Sequence, residues 1–180
     1  AMSSMMLLAA LRITAWRAAA RVKVGAMSAP AAQELRDARE AVVREHMDAE
    51  NRLDFDAALH TFEHPRYEIV ATGDVYDGAE EVSAYYRESR SAFPDQRNEN
   101  VVLHHADDGI VVEFDLLGTH EGELRGIAPT GKSFRCRMAA FFLFEPGTDR
   151  IAIERIYFDQ ATIAAQLLGQ DDVPAGIPSA

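Results

Sequence analysis

The sequence predicts an α+β fold, a cone-shaped roll in which a curved antiparallel sheet packs on three N-terminal helices. Two observations lead there: helical apolar spacing is concentrated between residues 31 and 92, and four later segments alternate in the manner of strands, separated by Gly, Pro and Asp turns. A third is size, since 180 residues suffice for one well-buried core and are few for two.

The elements follow in order. Leu35, Ala38, Val42, His46 or Met47, and Leu53 recur at helical spacing among acids and bases, as an amphipathic helix requires. Asp54 can cap a second helix carrying Phe55, Ala58, Leu59 and Phe62, which Pro65 ends near His64. Tyr67 to Thr72 reads as a strand, and Asp77-Gly78 turns into a third helix bearing Val82, Tyr85, Tyr86 and Ser89, closed by Phe93-Pro94-Asp95. Val101 to His105 and Ile110 to Thr119 form a hairpin about Asp107-Asp108-Gly109. Phe134 to Phe144 and, after Pro146-Gly147, Ile151 to Phe158 complete the strands. Residues 31–170 make up the domain, and 171–180 read as a flexible tail.

Charge narrows the function. Eighteen Lys and Arg against 29 Asp and Glu give −11, which repels phosphate backbones and anionic headgroups, so neither nucleic acid nor a membrane is an expected partner. No apolar stretch exceeds the strand-sized length of Met138 to Phe144. A lone cysteine, Cys136, allows no internal disulfide and fits a cytoplasmic location. Up to Gln33 there are four bases and no acid. Residues 1–30 are therefore read as an extension: an upstream start ahead of Met27-Ser28, a transit peptide or an amphipathic helix.

A curved sheet closed by helices leaves an interior for side chains or a ligand. Alternation sends Val112, Phe114 and Leu116 inward, and the same register places Gly118 and His120 on that face, with His120 as a rim group or a histidine bonded to backbone. Gly126 to Ser133 satisfies the phosphate-loop pattern G-x-x-x-x-G-K-S, but only 49 residues follow Gly131 and no parallel strand leads into it, so a stiffened β-connection is the better reading.

Gly118-Thr119-His120-Glu121-Gly122 with Gly126-Ile127-Ala128-Pro129-Thr130-Gly131 resembles the signature of SnoaL-like polyketide cyclases of the nuclear transport factor 2-like superfamily. Phe93-Pro94-Asp95, Glu154 to Asp159 and Gln166-Leu167-Leu168-Gly169 extend the resemblance over residues 35–169. The resemblance implies a cone-shaped barrel, often a homodimer, with a pocket for an apolar small molecule and no metal or organic cofactor. It also assigns the catalytic aspartate to Asp159. Strict alternation along Ile151 to Asp159 turns Tyr157 and Asp159 inward, where Asp159 would move a proton and Tyr157 or His120 would stabilise an enolate oxygen. Asp159 can equally cap the helix Ala161 to Leu168. His64, Tyr67, Phe114, Leu116 and Phe142 are the expected substrate contacts, and the apolar run Ala139 to Phe142 favours a ligand with few polar groups.

Other constellations read as structural. His104 and His105 face opposite ways on a strand, and Pro65 spoils the helical spacing of His60 and His64, so no metal site is expected. Cys136 reads as buried and inert. A cofactor-independent cyclase or isomerase acting on a small apolar carbonyl compound leads, ahead of a noncatalytic binding protein or a dimeric interaction module. An Asp159 buried in an apolar chamber favours catalysis, whereas an exposed, helix-capping Asp159 favours binding or scaffolding.

Overall fold

The structure is a computed structural model that describes residues 28–169. The expected tail at 171–180 and residues 1–27 of the expected extension lie outside the described residues. Helix α1 runs Ala29–Asn51, and the compact unit that holds the sheet begins at Leu35. Helices α2 (Phe55–His60), α3 (Ala79–Ala92) and α4 (Gln160–Leu168) join strands β1 (Arg66–Ile69), β2 (Asp74–Asp77), β3 (Arg97–His105), β4 (Gly109–Thr119), β5 (Ser133–Phe144) and β6 (Ile151–Phe158). The α+β expectation holds, with a curved, open six-stranded sheet in the order β2-β1-β6-β5-β4-β3.

Two details differ from the sequence reading. The sheet is not wholly antiparallel: β1 runs parallel to β6, pairing Tyr67 with Glu154 and Ile69 with Ile156. The chain reaches this pairing because β1 first turns back into β2, and the later meander returns beside β1 in the same direction. The second difference is on α1, whose buried side chains are Arg39, Val43, His46, Met47 and Ala49, a stripe rotated from the one anchored on Leu35 and Val42. Leu53 lies beyond the helix with a φ of 60° and is exposed. Arg39 is tolerated inside because its guanidinium lies over the Phe144 ring and Nε donates to the Thr148 carbonyl at 2.8 Å.

The core lies on the sheet's inner face. Met138, Ala140 and Phe142 of β5 alternate inward, opposite Phe158, Ile156 and Glu154 of β6. A bulge sets that register. Phe144 pairs with Ile151 and Leu143 with Ile153, so Ala152 is the extra residue, and the buried positions of β6 change from Ile151 to Glu154 and Ile156. On β4, Val112, Phe114 and Gly118 are buried as expected, and Leu116 packs against the core.

Loops are tied to these elements by polar contacts. Asp95 accepts from the Thr119 amide at 2.6 Å and its hydroxyl at 2.8 Å. Gly122 runs against the end of α3, where a Cβ would collide with the Ser91 carbonyl. The phosphate-loop match is a connection between β4 and β5: Gly126 and Gly131 have positive φ, and Lys132 leads into a strand. Beyond the end of β6, the Gln166 side chain pairs with β5, accepting from the Arg135 amide at 2.9 Å and donating to its carbonyl at 3.0 Å. Among the described residues no helix is long and apolar enough to cross a membrane.

On the outer face of β4, Asp115 is buried under Arg135, at 2.6 Å, and Arg137, at 3.5 Å, and accepts from Asn100 at 2.8 Å. Burial alone would raise its pKa, but Asn100 and the two arginines outweigh this and hold it below the usual aspartate value. Its contribution is therefore present above the unfolded pKa of about 3.9 and lost as pH falls through the lower folded value. Asp115→Asn is expected to reduce stability at neutral pH by about 1–3 kcal/mol and to flatten the acid limb of a urea-unfolding series recorded against pH.

Candidate functional site

A cavity of about 170 Å³ opens between α3, α4 and the inner face of the sheet. Ile69, Leu116, Phe134, Met138, Ile156 and Phe158 supply its sheet wall, and Tyr85, Phe93 and Ile163 its helical walls. These positions follow from strand alternation and from the spacing of Tyr85, Ser89 and Phe93 along the end of α3. A cavity of about 150 Å³ accommodates benzene, so this one suits a one-ring compound better than a multi-ring skeleton held wholly inside.

Polar groups are few and placed apart. Ser89 donates to Gln96 at 2.8 Å on one wall. The half-exposed pair Asp74 and Arg125, at 2.5 Å, marks the mouth, together with Glu88 and Gln160. Thr72 also donates to Asp74 at 2.7 Å, and these hydrogen bonds hold Asp74 below the usual aspartate range. Tyr76 and Tyr85 both line the cavity, and burial raises both phenols, so each is a neutral donor at physiological pH.

Beside the cavity, on the same inner face, lies a second cluster. His46 of α1 is fully buried, with Nε2 2.9 Å from the Tyr67 hydroxyl and 3.2 Å from Glu154 Oε2. Tyr67 donates to Glu50 at 3.3 Å and shares a very short hydrogen bond with Tyr86. Asn98 donates to Glu50 at 3.1 Å. Burial opposes a charge on His46, but Glu154 and Glu50 outweigh it and raise its pKa to about 10. Burial likewise opposes ionisation of Glu50, yet His46, Arg90 and Asn98 hold it at about 2. Burial prevails at Glu154, whose pKa is raised. The two carboxylates thus divide the roles: Glu50 carries the charge and Glu154 resists it.

The residues singled out from sequence separate. Leu116 lines the cavity. Tyr67, Phe114 and Phe142 are buried in the core, and Phe142 packs edge-on against His46 at 5.4 Å, so none of the three stands on the cavity wall. His120 is fully buried behind Phe93, with the Thr130 amide donating to Nδ1 at 3.3 Å. His64 is exposed and pairs with Asp77 at 2.7 Å, away from the cavity.

The inward orientation expected for Asp159 and Tyr157 is corrected. Tyr157 is 40% exposed on the outer face, against Phe141. Asp159 is exposed at the N-cap of α4, accepting from the Ala161 amide at 2.9 Å and the Thr162 hydroxyl at 2.7 Å. The bulge at Ala152 is the physical reason, because it puts Ile156 and Phe158 inward and their neighbours outward. The hydrogen bonds from Thr162 and Ala161 hold Asp159 below the usual aspartate value. Cys136 is buried and its thiol is raised by burial, in keeping with an inert role.

Sequence reasoning missed the pair His46 and Glu50. Their i, i+4 spacing was a usable signal, but His46 read as one more position of an apolar stripe. Tyr76, Tyr85 and Glu88 carried no motif.

Fold and cavity together define a helix-closed cone of the nuclear transport factor 2-like class. The profile of the SnoaL-like polyketide cyclases matches residues 40–167, and the chain belongs to that family. No curated protein matches the chain in sequence. Among solved structures, a candidate polyketide cyclase from Xanthomonas campestris superposes with a TM-score of 0.67 at 18% identity, covering 73% of this chain and 98% of its own. AclR from Streptomyces galilaeus, a candidate hydroxylase, gives 0.63 at 20% identity, with 76% and 84% covered. A phenazine biosynthesis-related protein from Pseudomonas aeruginosa gives 0.62 at 20% identity, with 82% and 97% covered. These likenesses concern the fold, on which differently described proteins converge.

Titration of the Asp159 carboxyl carbon by NMR is expected to give a pKa below the ~3.9 of a free aspartate. Asp159→Ala should fray α4 and lower the melting temperature, while Asp159→Asn, an equally good cap, should preserve both. A pKa raised above that reference would show that the carboxyl does not serve as this cap.

Proposed function

We infer that the cavity receives a small, mainly apolar carbonyl compound and that the chain acts on it by cofactor-independent acid–base chemistry of the cyclase or isomerase type. The observation that carries this reading is the apolar cavity itself, which pairs neutral phenol donors, Tyr76 and Tyr85, with the carboxylate of Glu88 at its mouth. Asp74 is engaged by Arg125 and Thr72, which leaves the Glu88 carboxylate for the proton transfer.

In this mechanism Glu88 takes a proton from the carbon beside the carbonyl. The electron pair moves onto oxygen as an enolate, which Tyr85 stabilises by a hydrogen bond donated in an apolar, weakly screening site. The enolate carbon then attacks an internal carbonyl, or the double bond migrates, and Glu88 returns the proton. Membership of the cyclase family supports the reaction type, and the cavity volume supports a one-ring substrate or one that extends through the mouth.

A second reading is a noncatalytic binding protein, favoured by the placement of Asp159 at a helix cap instead of in the cavity. Proton NMR of an unconjugated cyclic enone in D2O separates the two. Catalysis predicts accelerated loss of the α-proton signal, falling by a factor on the order of 10²–10⁴ in Glu88→Gln and substantially in Tyr85→Phe, with Asp159→Asn unaffected. Shifted ligand resonances without faster exchange would support binding alone.

The proposed assembly is a cytoplasmic homodimer, supported by the exposed Tyr157 beside Phe141 on the outer sheet face and by the unpaired Cys136. A monomer in sedimentation equilibrium at micromolar concentration would overturn the dimer.

A further inference from the structure

The cluster behind the cavity has more acceptors than its donors can serve. His46 Nε2 faces the Tyr67 hydroxyl at 2.9 Å, Glu154 Oε2 at 3.2 Å and Glu50 Oε1 at 3.8 Å, and at most one N–H is available there. Glu154 is 3% exposed, and its Oε2 accepts no hydrogen bond despite lying against the ring nitrogen. An orphaned carboxylate oxygen at this depth is costly unless a proton or a cation meets it.

The geometry suits a cation. Four ligands at ~2.0–2.2 Å from a tetrahedral metal lie roughly 3.4 Å from one another. Four of the six edges among His46 Nε2, Tyr67 Oη, Glu50 Oε1 and Glu154 Oε2 are 2.9, 3.2, 3.3 and 3.8 Å. The ligand atoms of His46, Glu50 and Glu154 all fall within 4.8 Å of one another, and among the described residues they form the one such group of histidine, cysteine and carboxylate side chains.

The surroundings orient the ligands as a metal site requires. Thr61 donates its hydroxyl proton to the Ala58 carbonyl at 2.6 Å, so its oxygen accepts from His46 Nδ1–H at 2.9 Å. That bond leaves Nε2 as the ring nitrogen directed at the cluster, where a bound metal would take the place of its proton. Glu50 is braced through its other oxygen by Asn98, which is itself held by Asn51 at 2.7 and 3.0 Å. With the protons of the cluster displaced on loading, two carboxylates and an imidazole would balance a divalent ion.

We propose that His46, Glu50 and Glu154, with the Tyr67 hydroxyl at the fourth corner, form a buried binding site for a divalent transition metal of the zinc type. All four corners come from protein, so the site is closed and structural, tying α1 to β1 and β6 beside the cavity. The acid–base chemistry proposed for the cavity does not use it.

The test uses the full chain, stripped by chelator in urea and refolded with Zn²⁺ or Co²⁺, because a closed site fills as the fold forms. The expected result is about one metal per chain after gel filtration, a visible Co²⁺ spectrum of tetrahedral type, proton release on loading, and a melting temperature that rises with Zn²⁺. Glu154→Gln and Glu50→Gln, which keep side-chain shape, should each reduce the bound metal to near zero while retaining the circular dichroism of the fold. His64→Ala, at an exposed ion pair, should leave uptake unchanged. Absence of stoichiometric metal in the refolded wild-type chain would overturn the proposal and leave a proton-shared ion cluster. Undiminished uptake in both glutamine variants would also overturn it, by placing the metal elsewhere. Enone exchange that survives in a metal-free chain bears only on the cavity, so failure of the two readings can be told apart.

Discussion

A single buried imidazole organises this molecule. His46 sits between carboxylates from its own helix and from the last strand of the sheet, with tyrosines from β1 and α3 completing the cluster. Removing any one of these groups leaves another buried polar atom without a partner, which typically costs more than the hydrogen bond itself contributes. The cluster therefore couples elements far apart in sequence. The parallel register of β1 and β6, with Tyr67 opposite Glu154, brings both residues to His46.

The cavity inherits its shape from that arrangement. Two residues further along the same register, Ile69 and Ile156 face the cavity instead of the cluster, so a polar interior passes into an apolar one within a single repeat of the strand. Tyr85 and Tyr86 stand on the two sides of this boundary, one on the cavity wall and the other bonded to Tyr67. Adjacent residues of one helix thus serve separate environments, and burial, aided by the charge of Glu50, keeps the Tyr85 phenol protonated.

Much of the fold was legible because it rests on periodicity. The helix bearing Val82, Tyr85 and Tyr86, the strand from Ile110 and the cap at Asp54 follow from local spacing and side-chain chemistry. Strand β2 was not legible: it is four residues long and follows Gly73 with no alternation clear enough to mark it. The parallel pairing was hidden because it joins residues more than eighty positions apart. The candidate site suffered most from one local irregularity. The extra residue at Ala152 reverses the faces of β6, which moved Tyr157 and Asp159 outward and left Glu154 inside, and an insertion of this kind has no marker in a single sequence. Leu116 survived on the cavity wall because β4 keeps an unbroken register with β5 throughout.

The side chain of Gln166 reaches from α4 to the stretch of β5 that outruns β6, and its amide matches one donor and one acceptor of Arg135. In doing so it behaves as a strand one residue long. Unpaired backbone at a sheet margin is a template for strand addition by another chain, and here that template is filled by a group that cannot propagate the ladder. At Arg135, a glutamine of α4 therefore closes one point at which another chain could add a strand.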